Sequence, residues 1–338
     1  MTKAITIYIA LVIIGIMSIT KKDLEILHAL SLNARASLTE IAKTVKMSKQ
    51  ALSYRLKLLT DEKILLGTHA VVNTYALGKS HFRLFIKFHN MNSEQEQELY
   101  KYMHDNQKVS WYAICDGDYD SAVIVWAESI NEYEQIYREI IKLFGKYFRN
   151  IQFSIATEIN YYKHNFLTET HDSKSFRFGT VNQKPVLDEI DMSILLELNM
   201  DARINLVEIA NKHKISVKLA HDRIKKMQKN NVILGFHTRI DHKKLGYTHR
   251  KVQLWLNDTS EKSMKKLSGY LREQSSTIFT VFSLGGCDLE FELMTKTNEE
   301  YYGIIKKLRS AFPELIANYG SFIIYDEPKS GFLEARKI

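Results

Sequence analysis

The apolar positions of SLTEIAKTVKMSKQALSYRLKLL, Ser37 to Leu59, sort into two short helical stretches with a single tight turn between them. In the second stretch Leu52, Leu56 and Leu59 recur at i, i+4 and i+7, one stripe of a 3.6-residue helix. The first opens on Ser37-x-x-Glu40, the pattern in which a hydroxyl and a carboxylate cap each other's backbone N–H groups, and the second begins after Ser48. An earlier helix, capped by Thr20, carries Leu24, Leu27 and Leu30 on its buried stripe. The run ILLGTHAVV that follows reads as a short β-hairpin around its glycine. Three helices and a hairpin predict a winged helix-turn-helix.

Further on the period drops from 3.6 to 2. HFRLFIKFH reads as a strand, SEQEQELYKYMHDN as a helix, VSWYAICDG and YDSAVIVWA as a hairpin, NEYEQIYREIIKLFG as a helix, and IQFSIATEINYYK as a closing strand. This is the βαββαβ order of a ferredoxin-like domain.

The whole pattern then occurs again. At an offset of 168, DLEILHALSLNARASLTEIAKTVKMSKQALSYRLKLL from Asp23 meets DMSILLELNMDARINLVEIANKHKISVKLAHDRIKKM from Asp191 without a gap. The second copy has its own caps, Asp188, Asn205-x-x-Glu208 and Ser216, and its own stripe, Ala220, Ile224 and Met227. Gly67, His69, Gly78, Gly117 and Asp120 fall on Gly235, His237, Gly246, Gly285 and Asp288, and near the end the register slips by two, so that Phe166-Leu167 meets Phe332-Leu333. A period this long marks duplication of a module rather than a solenoid. The fold class is therefore α+β, a tandem duplication of a winged helix-turn-helix plus a ferredoxin-like domain. The expected boundaries are an apolar segment at 1–18, heads at 19–78 and 188–246, βαββαβ domains at 79–164 and 247–333, and a polar linker at 165–187.

These features together, LTEIAKTVKMSKQALSYRLKLL, the ILLG entry to the wing, YALG after it and a Gly-x-x-Asp between central strands, resemble the Lrp/AsnC family of prokaryotic transcription regulators. The resemblance covers Ile19 to Leu333, twice. It implies double-stranded DNA as partner, dimerisation through the βαββαβ domain, larger assemblies, and in many members an amino-acid effector. Two modules in one chain depart from the usual single one, and fusion would either replace a homodimer by an internal pseudo-dimer or link dimers into a homo-oligomer. The family's common glycines in the helix-turn-helix turn and before the wing are here Lys46 and Lys214, then Lys63 and Asn231. A lysine at positive φ costs about 1 kcal/mol, so a slightly altered turn is expected.

Charge sharpens the DNA reading. The 338-residue chain is 45% hydrophobic and 25% charged, ordinary for a globular protein, with a net charge of +8 that favours a polyanionic partner. With the leucine stripe inward, Ser48, Lys49, Gln50, Ser53, Tyr54 and Lys57 face outward, and Arg55 lies at the boundary where a phosphate contact is expected. The corresponding set in copy two is Ser216, Val217, Lys218, His221, Asp222, Arg223 and Lys225, with a carboxylate in the place of Tyr54. Lys21 to Lys63 holds nine basic residues against five acidic ones, and Asp188 to Lys229 eight against seven, so the first head is expected to dominate binding. The second head reads either as a second half-site reader or as a partner serving only for assembly.

The N-terminal AITIYIALVIIGIMSI, Ala4 to Ile19, admits three readings: an extended start or arm ahead of Met17, a membrane anchor making membrane contact through residues 4–19, or an export signal. Cys115 and Cys287 occupy non-equivalent positions and form no Cys-x-x-Cys pair, which fits a cytoplasmic chain without a zinc site.

Gly117, Asp120, Gly285 and Asp288 are the effector-binding candidates, with a hairpin turn as the favoured reading. His69 and His237 read as structural or phosphate-facing; no metal, no cofactor and no catalytic residue is expected. One enzyme alternative remains. Sirohaem decarboxylases resemble this layout, but they carry a His-Asn-Tyr type motif where the chain reads VSWYAICDG and, in copy two, IFTVFSLGG.

Overall fold

The computed structural model describes residues 19–170, 172–179 and 184–330. Residues 1–18, and with them nearly all of the apolar Ala4–Ile19 segment, lie outside the described residues, as does the Phe332-Leu333 match. Among the described residues no helix is long and apolar enough to cross a membrane.

The first head is α1 (Lys21–Leu32), α2 (Leu38–Thr44) and α3 (Lys49–Asp61), and the second is α6 (Glu189–Met200), α7 (Leu206–Lys212) and α8 (Val217–Lys229). The caps fall where the sequence places them. Thr20 with Asp23, Ser37 with Glu40 and Asp188 with Asp191 form capping boxes, and Ser48 and Ser216 accept from Ala51 N and Leu219 N. Asn205 instead accepts from Val207 N, so the box in copy two is reduced to a simple cap. Leu52 and Leu59 of the first stripe are fully enclosed while Leu56 is half-buried, and Ala220, Ile224 and Met227 of the second are all buried.

The wing is not a hairpin. Each module supplies one strand, β1 (Leu65–Val72) and β7 (Ile233–Ile240), and the two pair antiparallel with each other, His69 opposite His237. Gly67 makes an irregularity within β1 at φ +138°, and Gly235 has the Phe176 ring where a Cβ would be, so neither glycine turns the chain. Because His69 and His237 are equivalent in the repeat, the pseudo-two-fold axis passes between them. Reciprocal contacts surround it: Ala34 N donates to Phe236 O and Ala202 N to Thr68 O, both at 3.2 Å, while Asn73 N donates to Val232 O and Asp241 N to Ile64 O. Arg35 donates to Ala202 O, and Arg203 to Ala34 O at 2.7 Å and Ala36 O at 3.0 Å. The fusion thus builds an internal pseudo-dimer.

The ferredoxin-like halves are β2 (Ser80–Phe88), α4 (Ser93–Asp105), β3 (Val109–Gly117), β4 (Ser121–Ala127), α5 (Ile130–Phe144) and β5 (Phe148–Tyr162), then β8 (Thr248–Leu256), α9 (Glu261–Arg272), β9 (Thr277–Leu284), β10 (Leu289–Thr295), α10 (Asn298–Ala311) and β11 (Ile316–Ser330). The long last strands cross between modules: β5 pairs with β2 and β9, and β11 with β8 and β3. The order β2-β4-β3-β11-β8-β10-β9-β5 therefore returns to β2 and closes a ring. Alternation along each strand then assigns two environments. Phe82, Leu84 and Ile86 pack outward under α4 and α5, and Val252 and Leu254 under α9 and α10. The expected linker holds structure of its own: β6 (Ser175–Gly179) extends the sheet beside β5 and seats Phe176 and Phe178 in the core.

Lys46, Lys63, Lys214 and Asn231 all adopt left-handed conformations, at φ 53°, 52°, 52° and 54°. The turns keep the geometry that glycine would take, and the side chains bear the strain. Lys46→Gly and Lys214→Gly are each expected to stabilise the fold by about 0.5–1 kcal/mol, read as a higher urea midpoint at constant slope.

Candidate nucleic-acid interface and interior cavity

Helix α3 shows the outside that its periodicity predicts. Ser48, Lys49, Gln50, Ser53, Tyr54 and Lys57 are all exposed, Tyr54 by 63%. On α8, Ser216, Lys218, His221, Asp222 and Lys225 are exposed, together with Val217 and Leu219. Arg55 and Arg223 have another employment. Arg55 grips the buried Asp23 with both Nε, at 2.7 Å, and Nη2, and Arg223 Nη1 reaches Asp188 and Asp191, each at 2.7 Å. Burial pushes the Asp23 carboxyl up, but the bonds from Arg55 and Thr20 outweigh it and hold it below its ordinary range. Both arginines clamp the recognition helix to the start of the first helix of its own head, which removes them from the free cations. On the outward face of α3, Lys49 and Lys57 make no ion pair among the described residues.

The four effector candidates take structural positions. Asp120 Oδ2 accepts from Phe88 N at 2.7 Å, and Asp288 Oδ2 from Leu256 N at 2.7 Å, so each carboxylate ties its hairpin to the end of the neighbouring strand. A Cβ on Gly117 would meet Ser321 O at 3.0 Å, and one on Gly285 would meet Phe153 O at 3.2 Å. Both glycines let the other module's last strand pass.

His69 and His237 face neither phosphate nor solvent: both are buried, with ring centroids 6.0 Å apart. Beneath them, between the ribbon and the end of the strand ring, lies a cavity of about 420 Å³. Its walls include Trp111, Trp126, Tyr161 and Phe178, and the imidazoles of His69, His81, His164, His242 and His249. Among the described residues no group of three or more His, Cys, Asp or Glu side chains is arranged to hold a metal ion. The buried Cys115 and Cys287 are free thiols.

An ionic cluster joins β2, β8, β10 and β11. Arg83 meets Glu290 at 2.7 Å, Lys251 meets Glu290 at 3.2 Å and Glu292 at 2.7 Å, and His249 meets Glu292 at 2.8 Å and Glu327 at 3.6 Å. Trp111 Nε1 donates to Glu327 at 2.7 Å. His81 and Arg83 are the repeat equivalents of His249 and Lys251, whereas Glu290 and Glu292 replace Ala122 and Ile124. One module supplies the acids for the cations of both. Burial holds His69, His81 and His164 near pKa 3. Burial would lower His249 as well, but Glu292 and Glu327 raise it to about 9; Glu292, opposed by burial, is held near 2 by Lys251 and His249.

Two helix-turn-helix heads on a pseudo-two-fold ribbon, set over a closed pair of βαββαβ domains, are the architecture of a DNA-binding regulator. The AsnC-type helix-turn-helix domain family matches residues 19–60, and a winged helix-turn-helix DNA-binding family matches 187–233. A proline dehydrogenase transcriptional activator of Rhizobium radiobacter is 31% identical over 144 residues, 42% of this chain and 92% of its own length. The protein of the same name from Rhodobacter capsulatus is 29% identical over 133 residues, 39% of this chain and 86% of its own. The chain belongs to the Lrp/AsnC family and is a DNA-binding transcription regulator with two modules. A solved structure of the siroheme decarboxylase NirDL shares the fold across 93% of this chain and 94% of its own, with a TM-score of 0.63 at 12% identity, and has also been solved with an iron-uroporphyrin III analogue.

The raised pKa of His249 gives a pH test with a definite sign. Its contribution to stability is complete below pH 6.5 and is lost as pH rises through 9. The stability difference between the native protein and His249→Gln should therefore shrink by on the order of 3 kcal/mol across that window in urea titrations. Lys163, which burial lowers to about 7, titrates in both proteins and cancels.

Proposed function

We propose that DNA is read mainly by the first head, through Lys49, Gln50, Ser53, Tyr54 and Lys57 with the Ser48 helix start, and that the second head, through Ser216, Lys218, His221 and Lys225, adds a weaker half-site. The observation that carries this reading is the exposure of Lys49 and Lys57 on α3, one face of a capped helix, while the neighbouring Arg55 is consumed by Asp23. Gln50 suits an adenine edge, and lysines suit phosphates or guanine acceptors. On α8 the exposed Asp222 repels phosphates, while Val217 and Leu219 offer methyl contacts and no charge. Heads related by a two-fold-like axis suit a partly palindromic site.

Lys49→Ala with Lys57→Ala should weaken binding at least tenfold and lower the salt slope by up to about 2, at roughly 0.9 per lost phosphate contact. Lys218→Ala with Lys225→Ala should do less than half of this. Titrating DNA fragments from a genomic binding selection at several salt concentrations measures both, and equal losses would sink the asymmetry.

We further propose that the chain is not a decarboxylase. Support comes from the absence of histidine in VSWYAICDG and IFTVFSLGG, from the deprotonated state of the buried His69, His81 and His164, and from the sharing of His249 between two carboxylates. The opposite reading draws on the whole-chain fold likeness and the histidine-lined cavity. Incubation with sirohaem should leave every carboxylate in place by mass spectrometry; loss of carbon dioxide would reverse the assignment.

A further inference from the structure

We propose that the cavity between the wing ribbon and the strand ring is a ligand site for a planar aromatic anion larger than a free amino acid, with Arg239 as its charged anchor. The volume, about 420 Å³, lies in the range of sites for drug-sized molecules. The wall offers flat surfaces: Trp111, Trp126 and Tyr161 among others. Rings of this kind bind a planar ligand by offset or edge-to-face contact.

The polarity of the wall sets the sign of the charge. Arg83, Lys251 and His249 are already balanced by Glu290, Glu292 and Glu327, and Lys243 is balanced by Asp326 at 3.0 Å. Asp241, also in the lining, keeps its charge and is oriented by its turn, accepting from Lys244 N at 3.1 Å. Arg239 makes no contact ion pair among the described residues; Asp201 acts on its charge from beyond ion-pair distance. Its Nη2 donates to Met200 O at 3.2 Å, and its buried Nε has no acceptor there. It lies opposite Gly67 across the ribbon, and a Cβ on Gly67 would come within 3.8 Å of the guanidinium. The repeat equivalent of Arg239 is Val71, which is buried in the apolar core, so the charge is a feature of one side only. Trp126 Nε1 and Arg83 Nε are further buried donors on lining residues without an acceptor among the described residues. Buried donors without an acceptor, and a guanidinium with no carboxylate in ion-pair contact, call for an acceptor-bearing anion.

The site is separate from the Gly-x-x-Asp loops, none of whose named residues line it. Its roof is the ribbon on which both heads are mounted, so an occupant that touches both ribbon and ring couples to DNA binding. That second half rests on the regulator reading above.

The probe is pyrene-1-sulfonate, a planar aromatic monoanion, added to the full chain in its folded state. Tryptophan excitation should give energy transfer to the dye, saturating at one equivalent, and Trp111→Phe with Trp126→Phe should cut the transfer to what Trp255 alone supplies. Arg239→Gln should weaken binding at least tenfold, and Arg239→Lys should restore most of it, with circular dichroism unchanged in both. Binding indifferent to Arg239→Gln, binding at several equivalents, or no binding overturns the site. Dye saturation should also shift DNA affinity several-fold. A filled site with unaltered DNA affinity overturns the coupling alone, and a filled site in a chain that ignores DNA overturns the regulator reading while the site stands.

Discussion

A lone strand cannot satisfy its own backbone, and this constraint organises the molecule. Leu65–Val72 has no hairpin partner within its module, so its N–H and C=O groups must be met from elsewhere. The repeat supplies the answer: Ile233–Ile240 pairs with it about an axis at His69 and His237. Arg35 and Arg203 then reach across to carbonyls of the opposite head, and the two heads become one mount. The same logic operates at the other end, where β5 and β11 each bridge two modules and leave the ring without an open edge.

Closing the ring has a consequence for charge. Alternate residues of HFRLF and THRKV are the pattern of strands with one wet face, yet that face is turned inward, where His81, Arg83, His249 and Lys251 are nearly inaccessible. Arg83, Lys251 and His249 keep their charge there because Glu290, Glu292 and Glu327 pair with them, while His81 stays neutral. Repetition of the fold is thus compatible with a lopsided interior. Asymmetry also marks the heads, which share caps, stripes and clamps but not the charge of their outer faces. Duplication keeps what the fold requires and lets the surfaces diverge.

The repeat, the helix caps, the leucine stripes and the βαββαβ order were legible in the chain, because each depends on neighbours within a few positions or on a fixed offset. So was the outward set on α3, since helical geometry alone decides which side Lys49 and Lys57 occupy once Leu52 and Leu59 are buried. The single-strand wings, the strand inside the expected linker, the Arg55–Asp23 and Arg223–Asp191 clamps and the histidine-lined cavity were decided by tertiary structure. Their partners lie from tens of residues to more than two hundred away in sequence, as Arg83 and Glu290 do, and no local period records such a pairing. A period-2 strand states that it has two faces; only the closing of the sheet determines which of them sees water.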